Sequence, residues 1–178
     1  MRRLLIIILL LGISLPASAT LRVLACEPHW AALTKTIGGD RVEVRSAITA
    51  GQDAHSVQAR PGLIAAVRRA DLVFCTGAGL ETGWLPTLLD RGGNPEVRRA
   101  PGLLLAAEQV ELLEQPEQLD RSQGDLHAAG NPHIHLDPRR VARVGQVVAE
   151  RLATLDPEHA QHYRDAATHL HRQMTERA

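Results

Sequence analysis

Residues 21–47 read LRVLACEPHWAALTKTIGGDRVEVRSA, and the order of signals within them decides the fold. Leu21 to Cys26 is a short apolar run of strand length. Pro28 opens a helix at the one place where its missing N–H costs nothing, and Gly38-Gly39 stop that helix after Ile37 with residues suited to a left-handed cap. Arg41 to Ala47 then alternates, Val42 and Val44 against charged neighbours, as a strand with one face open to solvent. The pattern repeats downstream. Pro61 opens a helix through Arg69, Asp71 to Thr76 is a buried strand, and Gly77-Ala78-Gly79 turns into a helix over Glu81 to Arg91. Strands alternating with helices predict a parallel sheet with right-handed crossovers, and such sheets bind ligands beyond the carboxyl ends of their strands.

That rule collects polar residues on one rim. Glu27 and His29 follow the first strand, His55 follows the second in the loop GQDAHSVQARP (residues 51–61), and Gly77 to Glu81 follow the third. A second histidine-bearing stretch, GDLHAAGNPHIHLDP (residues 124–138), places His127, His133 and His135 in turn-rich sequence that is poor core material. Imidazole is the commonest side-chain ligand for a transition metal and binds one in its neutral form near pH 7. Two such loops brought together supply half or more of a zinc site. His133 and His135 are two apart, so in an extended segment both rings point the same way. His29 reads as a solvated residue at a helix start, and His159, His162, His169 and His171 as the polar face of a late helix.

Composition narrows the partners. The formal net charge is zero with His neutral, which leaves no electrostatic footprint for nucleic acid, and 2% aromatic residues argue against base or sugar stacking. Residues 1–19 have the layout of a secretory signal: Arg2 and Arg3, an apolar run from Leu4 to Leu15, then Pro16-Ala17-Ser18-Ala19 with small residues where a signal peptidase reads. The expectation is removal before Thr20 and a periplasmic protein. The run is too short for an ordinary transmembrane helix. An uncleaved anchor is one alternative. Lipidation at Cys26 behind Val23-Leu24-Ala25 is another, against which Arg22 counts. Beyond Ala19 there is enough chain for one domain with a core. Near the end, Asp137-Pro138 starts a helix with the apolar stripe Val141, Val144, Val148, Leu152 and Leu155, and Asp156-Pro157 starts another with Tyr163, Ala167, Leu170 and Met174 on one side.

Taken together, several spaced motifs resemble the periplasmic solute-binding proteins of zinc and manganese ABC importers. They are Asp53-Ala54-His55, Asn131-Pro132-His133-Ile134-His135-Leu136-Asp137-Pro138, Gly39-Asp40-Arg41-Val42, Ala70-Asp71-Leu72-Val73, Gly77-Ala78-Gly79-Leu80-Glu81 and Trp84-Leu85. The resemblance implies an α/β fold, a parallel four-stranded sheet flanked by helices, forming one lobe of a two-lobe metal-binding protein and ending in a long helix. On that reading residues 20–137 are the N-terminal metal-binding lobe, residues 138–178 are helices leading into the connecting helix, and the second lobe, which supplies further ligands, is absent. His55 and His133 become the main metal ligands. His127 and His135 are weaker candidates: His127 as a transient ligand or an exposed residue without a role, His135 as a ligand or as the filler of a slot that relatives occupy with an aromatic ring. If the first and third strands are neighbours, as in that family, Cys26 and Cys75 fall within disulfide range, the alternative being two buried thiols. An apolar stripe built for a second lobe is expected to leave Tyr163, Leu170 and Met174 partly exposed here.

The function so implied is capture rather than catalysis. The protein would take up a divalent transition metal outside the cytoplasm, Zn2+ in the first place and Mn2+ as the alternative, and deliver it to an ABC-transporter permease in the inner membrane. Nitrogen ligands favour zinc, whereas manganese prefers carboxylates. Two other readings use the same residues. His133, His135 and Asp137 fit the His-x-His-x-Asp pattern of some zinc-dependent hydrolases, although Asp137 is placed to cap a helix and no second cluster follows. A metal-buffering protein without a transporter is the other.

Overall fold

The structure is a computed structural model that describes residues 20–116 and 127–176; the signal segment proposed for residues 1–19 lies outside them. Strands β1 (Leu21–Ala25), β2 (Val42–Ser46), β3 (Leu72–Cys75) and β4 (Leu103–Leu105) are all parallel and lie in the order β2-β1-β3-β4. Helices α1 (Pro28–Gly38), α2 (Pro61–Arg69) and α3 (Leu85–Gly92) fill the crossovers, and α4 (Pro138–Leu155) and α5 (Ala160–Thr175) complete the fold. Among the described residues no helix is long and apolar enough to cross a membrane.

Alternation along the strands divides the core in two. Leu21, Val23 and Ala25 of β1, with Leu72 and Phe74 of β3, face Trp30, Leu33 and Ile37 of α1 and the buried stripe Val144, Val148 and Leu152 of α4. Leu24 and Val73, with Cys26 and Cys75, face Leu63 and Val67 of α2 and Leu85 and Leu88 of α3. Every residue of central β3 is buried, whereas β2 at the sheet edge keeps only Val42 fully covered, which is why the sequence of β2 alternates and that of β3 does not. Because β1 and β3 are neighbours, Cys26 and Cys75 end side by side. Their Cα atoms are 4.7 Å apart and the sulfurs form a disulfide on the α2/α3 face.

Two expectations are corrected. The helix expected from Glu81 begins at Leu85 instead; residues 78–84 form turns, and Glu81 reaches back to accept the N–H groups of Thr76 and Gly77 at 2.7 and 2.9 Å. Tyr163 and Leu170 are buried rather than partly exposed, at 0% and 6%, whereas Met174 stays partly exposed as expected while touching the same core. The cause is the short link at Asp156-Pro157, which folds α5 back along α4 and against α1. Tyr163 completes this packing by donating its hydroxyl to Asp156 Oδ2 at 2.5 Å. His159 joins the same link: its Nδ1 lies 2.9 Å from that carboxylate, and Arg41 reaches its other nitrogen.

Candidate metal centre

The carboxyl rim of the sheet carries the candidate residues. His55 sits in the loop after β2, and that loop is pinned by Trp84, whose indole N–H donates to the Ala54 carbonyl at 2.7 Å. Asp53 shapes it locally: its Oδ1 accepts the His55 backbone N–H at 2.9 Å, an Asx turn, and lies 2.8 Å from His55 Nδ1. Those two bonds hold the Asp53 carboxyl below its usual range, so it is an acceptor at neutral pH.

His133 comes from a segment held on the other side of the rim. Asn131 N–H donates to the Leu113 carbonyl at 2.8 Å, the Asn131 amide donates to Glu114 Oε2 at 2.7 Å, and Asn131 Oδ1 accepts the His133 N–H at 2.9 Å. Residues Ile134–Leu136 form a single 3₁₀ turn that buries Ile134. In such a turn residues i and i+2 diverge, which corrects the extended geometry expected for this stretch. The rings of His133 and His135 stand 5.9 Å apart at 77°, and His135 turns inward to stack on His29 with centroids 4.0 Å apart. Asp137 is occupied at the start of α4, accepting from the N–H groups of Arg139 and Arg140 and pairing with the Arg140 side chain, so it is no free metal ligand for a hydrolase.

His29 is the residue sequence reasoning undervalued. It is half-buried rather than solvated, its Nε2 has no hydrogen-bond partner among the described residues, and burial, followed by the nearby His135 and His133, pushes its pKa down to about 4. Burial and then His133 lower His135 in the same direction. Both rings are neutral at physiological pH. Beneath them lies a buried polar floor: Trp30 N–H donates to Thr76 Oγ1 at 2.8 Å and Thr76 Oγ1 donates to Glu27 Oε2 at 2.9 Å. Burial, reinforced by the neighbouring Glu81, pushes Glu27 up to about 9; burial raises Glu81 as well, but both Glu81 oxygens accept backbone N–H groups, so the proton of this pair sits on Glu27.

A cavity of about 490 Å³ opens between the loops, lined among others by His29, Asp53, His55, His133 and His135. His55 and His133 therefore share one space, although they do not touch. His127 lies beside His55, with Nε2 atoms 3.3 Å apart. Among the described residues the one group of three ligand-type side chains within 4.8 Å is Cys26, Cys75 and Glu81, and its sulfurs are bonded to each other. The histidines are thus gathered around the cavity without converging on a three-ligand point.

A four-stranded parallel sheet with imidazoles gathered around a cavity at its carboxyl rim defines an α/β domain with a histidine-lined rim site. The chain belongs to the family described as zinc-uptake complex component A, periplasmic (ZnuA), whose pattern matches residues 23–177. It is 28% identical over 150 residues to the manganese ABC transporter substrate-binding lipoprotein scaA of Streptococcus gordonii, covering 83% of this chain and 46% of that protein. It is 27% identical over 150 residues to the manganese ABC transporter substrate-binding lipoprotein PsaA of Streptococcus pneumoniae, with the same two coverages, 83% and 46%. Among solved structures, a zinc-bound deletion mutant of ZnuA matches with a TM-score of 0.74 at 25% identity, over 88% of this chain and 55% of that one. The periplasmic metal binding protein of Candidatus Liberibacter asiaticus matches in fold with a TM-score of 0.68 at 21% identity, over 86% and 52%. The chain spans about half the length of the curated relatives it matches.

Proposed function

We propose that this chain is the metal-capturing lobe of an extracytoplasmic solute-binding protein, which takes up a divalent transition metal for a membrane permease of the ABC type, with His55 and His133 as its main ligands. The observation that carries the reading is the shared cavity: two histidines from loops anchored independently of each other line one space at the sheet rim. Neutral imidazoles there displace water from an incoming ion, and a second lobe reached through α5 completes the coordination and closes the site. A fully liganded site of that kind binds without turnover, since no position is left open for a substrate.

Zinc is the preferred cargo on donor chemistry. The ligand-type groups facing the cavity are mainly imidazoles, and the one acidic side chain in the His55 loop is engaged with His55 itself. Relatives named for manganese and a structure named for zinc leave either cargo open to this family, so the choice rests on competition: zinc should displace manganese from the chain, and the reverse order would make manganese the cargo. The test of the site is calorimetry with a competing chelator. A site keeping about half of its ligands retains on the order of 5–8 kcal/mol of a four-ligand zinc site, a Kd between about 0.1 mM and about 1 μM. The double variant His55→Ala, His133→Ala should lose that binding. Unchanged affinity in the double variant would overturn the assignment.

A further inference from the structure

His55 and His127 lie 72 residues apart in sequence and meet with their rings nearly parallel, at 23° and 5.3 Å between centroids. Each ring has its other nitrogen occupied. His55 Nδ1 is 2.8 Å from the Asp53 carboxylate, and His127 Nδ1 is 3.1 Å from the Ala78 carbonyl. Neither oxygen has a hydrogen to give, so both Nδ1 atoms donate. In a neutral imidazole the second nitrogen then carries a lone pair. The two Nε2 lone pairs therefore share one small space, 3.3 Å apart, and neither ring can donate to the other without giving up its Nδ1 bond. A shared cation, either a proton or a metal ion, satisfies both without breaking an Nδ1 bond. With Zn–N bonds of 2.0–2.1 Å, two nitrogens on one tetrahedral zinc stand about 3.3–3.4 Å apart.

The backbone under His127 is built for this contact at a cost in strain. Ala78 has φ of 54°, a left-handed conformation that non-glycine residues rarely adopt, between Gly77 at 80° and Gly79 at 89°. That run of positive φ turns the Ala78 carbonyl toward the His127 ring. A Cβ at Gly79 would stand 3.5 Å from His127 Nδ1, in ordinary van der Waals contact, so it is the positive φ at this position and not the space beside the ring that favours glycine.

We propose that His55 and His127 form a two-nitrogen clamp that holds a divalent transition metal within this lobe independently of His133. The clamp rests on the metal-capture reading and adds to it a ligand pair whose hydrogen bonds already fix the tautomer and ring orientation that metal binding requires. His133 then joins a metal that is already held.

The test is zinc titration of the 15N-labelled chain, followed by long-range NMR of the ring nitrogens and by calorimetry on the chain and on His127→Ala and His133→Ala. The clamp predicts protonated Nδ1 on both rings before zinc, and shifts of both Nε2 signals together on adding it. His127→Ala should weaken zinc binding roughly 100-fold, the share of one ligand in a four-ligand site, while His133→Ala still shows both Nε2 signals moving. A His55 Nε2 signal that moves without His127, or a proton that stays between the rings at zinc saturation, overturns the clamp. The NMR readout on the unsubstituted chain stands even if a variant folds poorly. Loss of binding in the His55, His133 double variant with none in His127→Ala removes the clamp and leaves the capture site. Full binding in all of them removes the capture site as well.

Discussion

His55 and His127 each have one ring nitrogen tied to an oxygen and the other left bare, whereas His29 and His135 lie face to face, partly buried, and are kept neutral chiefly by burial. Both groups border the same rim, yet their surroundings prepare them for different work. An anchored imidazole presents a lone pair in a fixed direction, and a stacked one fills volume. Ligand character is set by the partner of the second nitrogen more than by the histidine itself. His133 stands between the two: its backbone is anchored through Asn131, and its ring meets His135 only edge-on.

The largest effect expected from disturbing this contrast is structural. The Cys26–Cys75 bridge lies where β1 and β3 deliver the chain to the rim, next to Glu27 and Thr76. Replacing both cysteines by serine should lower stability by about 2–4 kcal/mol, measured by denaturant titration. Thiol titration of the unfolded, unreduced chain should find no free sulfhydryl. Two free sulfhydryls would show that the bridge does not form in solution.

Next is the anchor of the pair. Asp53→Ala leaves His55 free to carry its proton on either nitrogen, and zinc affinity should fall about 10–100-fold without change in fold. An unaffected Kd would mean that the Asx turn only shapes the loop.

A smaller effect belongs to the floor beneath His29 and His135. Glu27 rises from an ordinary value of 4.5 to about 9 through burial first and the negative Glu81 second. Between those two values the folded chain keeps a proton that the unfolded chain has released. Stability is therefore full below about pH 4.5 and declines as pH rises through the window toward 9. Glu27→Gln should flatten that decline while leaving zinc affinity at neutral pH unchanged. Thermal unfolding across the window, with and without the substitution, measures it, and an unaltered slope would contradict the assignment of the proton to Glu27.

The smallest effect is expected at the stacked histidine. His135→Phe keeps a ring against His29 but has no ligand atom, and zinc affinity should change by less than about threefold. A loss comparable to that of His127→Ala would move His135 among the ligands and erase the contrast between the two groups.

Much of this arrangement was legible in the sequence because it is written locally. The prolines at 28, 61 and 138, the glycines at 38, 39, 77 and 79, and the change from alternating to continuous apolar runs mark β1, β2, β3 and three helix starts. The rim rule groups Glu27, His29 and His55 from the sequence alone. What escaped is what arises between distant segments. β4 is three residues, Leu103–Leu105, too short to show a period. The stripe on α5 showed that something covers Tyr163 and Leu170, but not that α1 and α4 do. The His-x-His spacing points both rings the same way only in an extended chain, whereas a 3₁₀ turn here rotates His135 inward. The meeting of His55 with His127 depends on the Ala78 carbonyl, whose left-handed setting leaves only its flanking glycines as a trace.

One measurement tests the account most directly: the crystal structure of the zinc-loaded chain. It should place zinc about 2.0–2.1 Å from Nε2 of both His55 and His127, with the Nδ1 bonds to Asp53 and Ala78 retained. Zinc held by His133 and His135 with His127 turned away, or bound only among the histidines of α5, would contradict it.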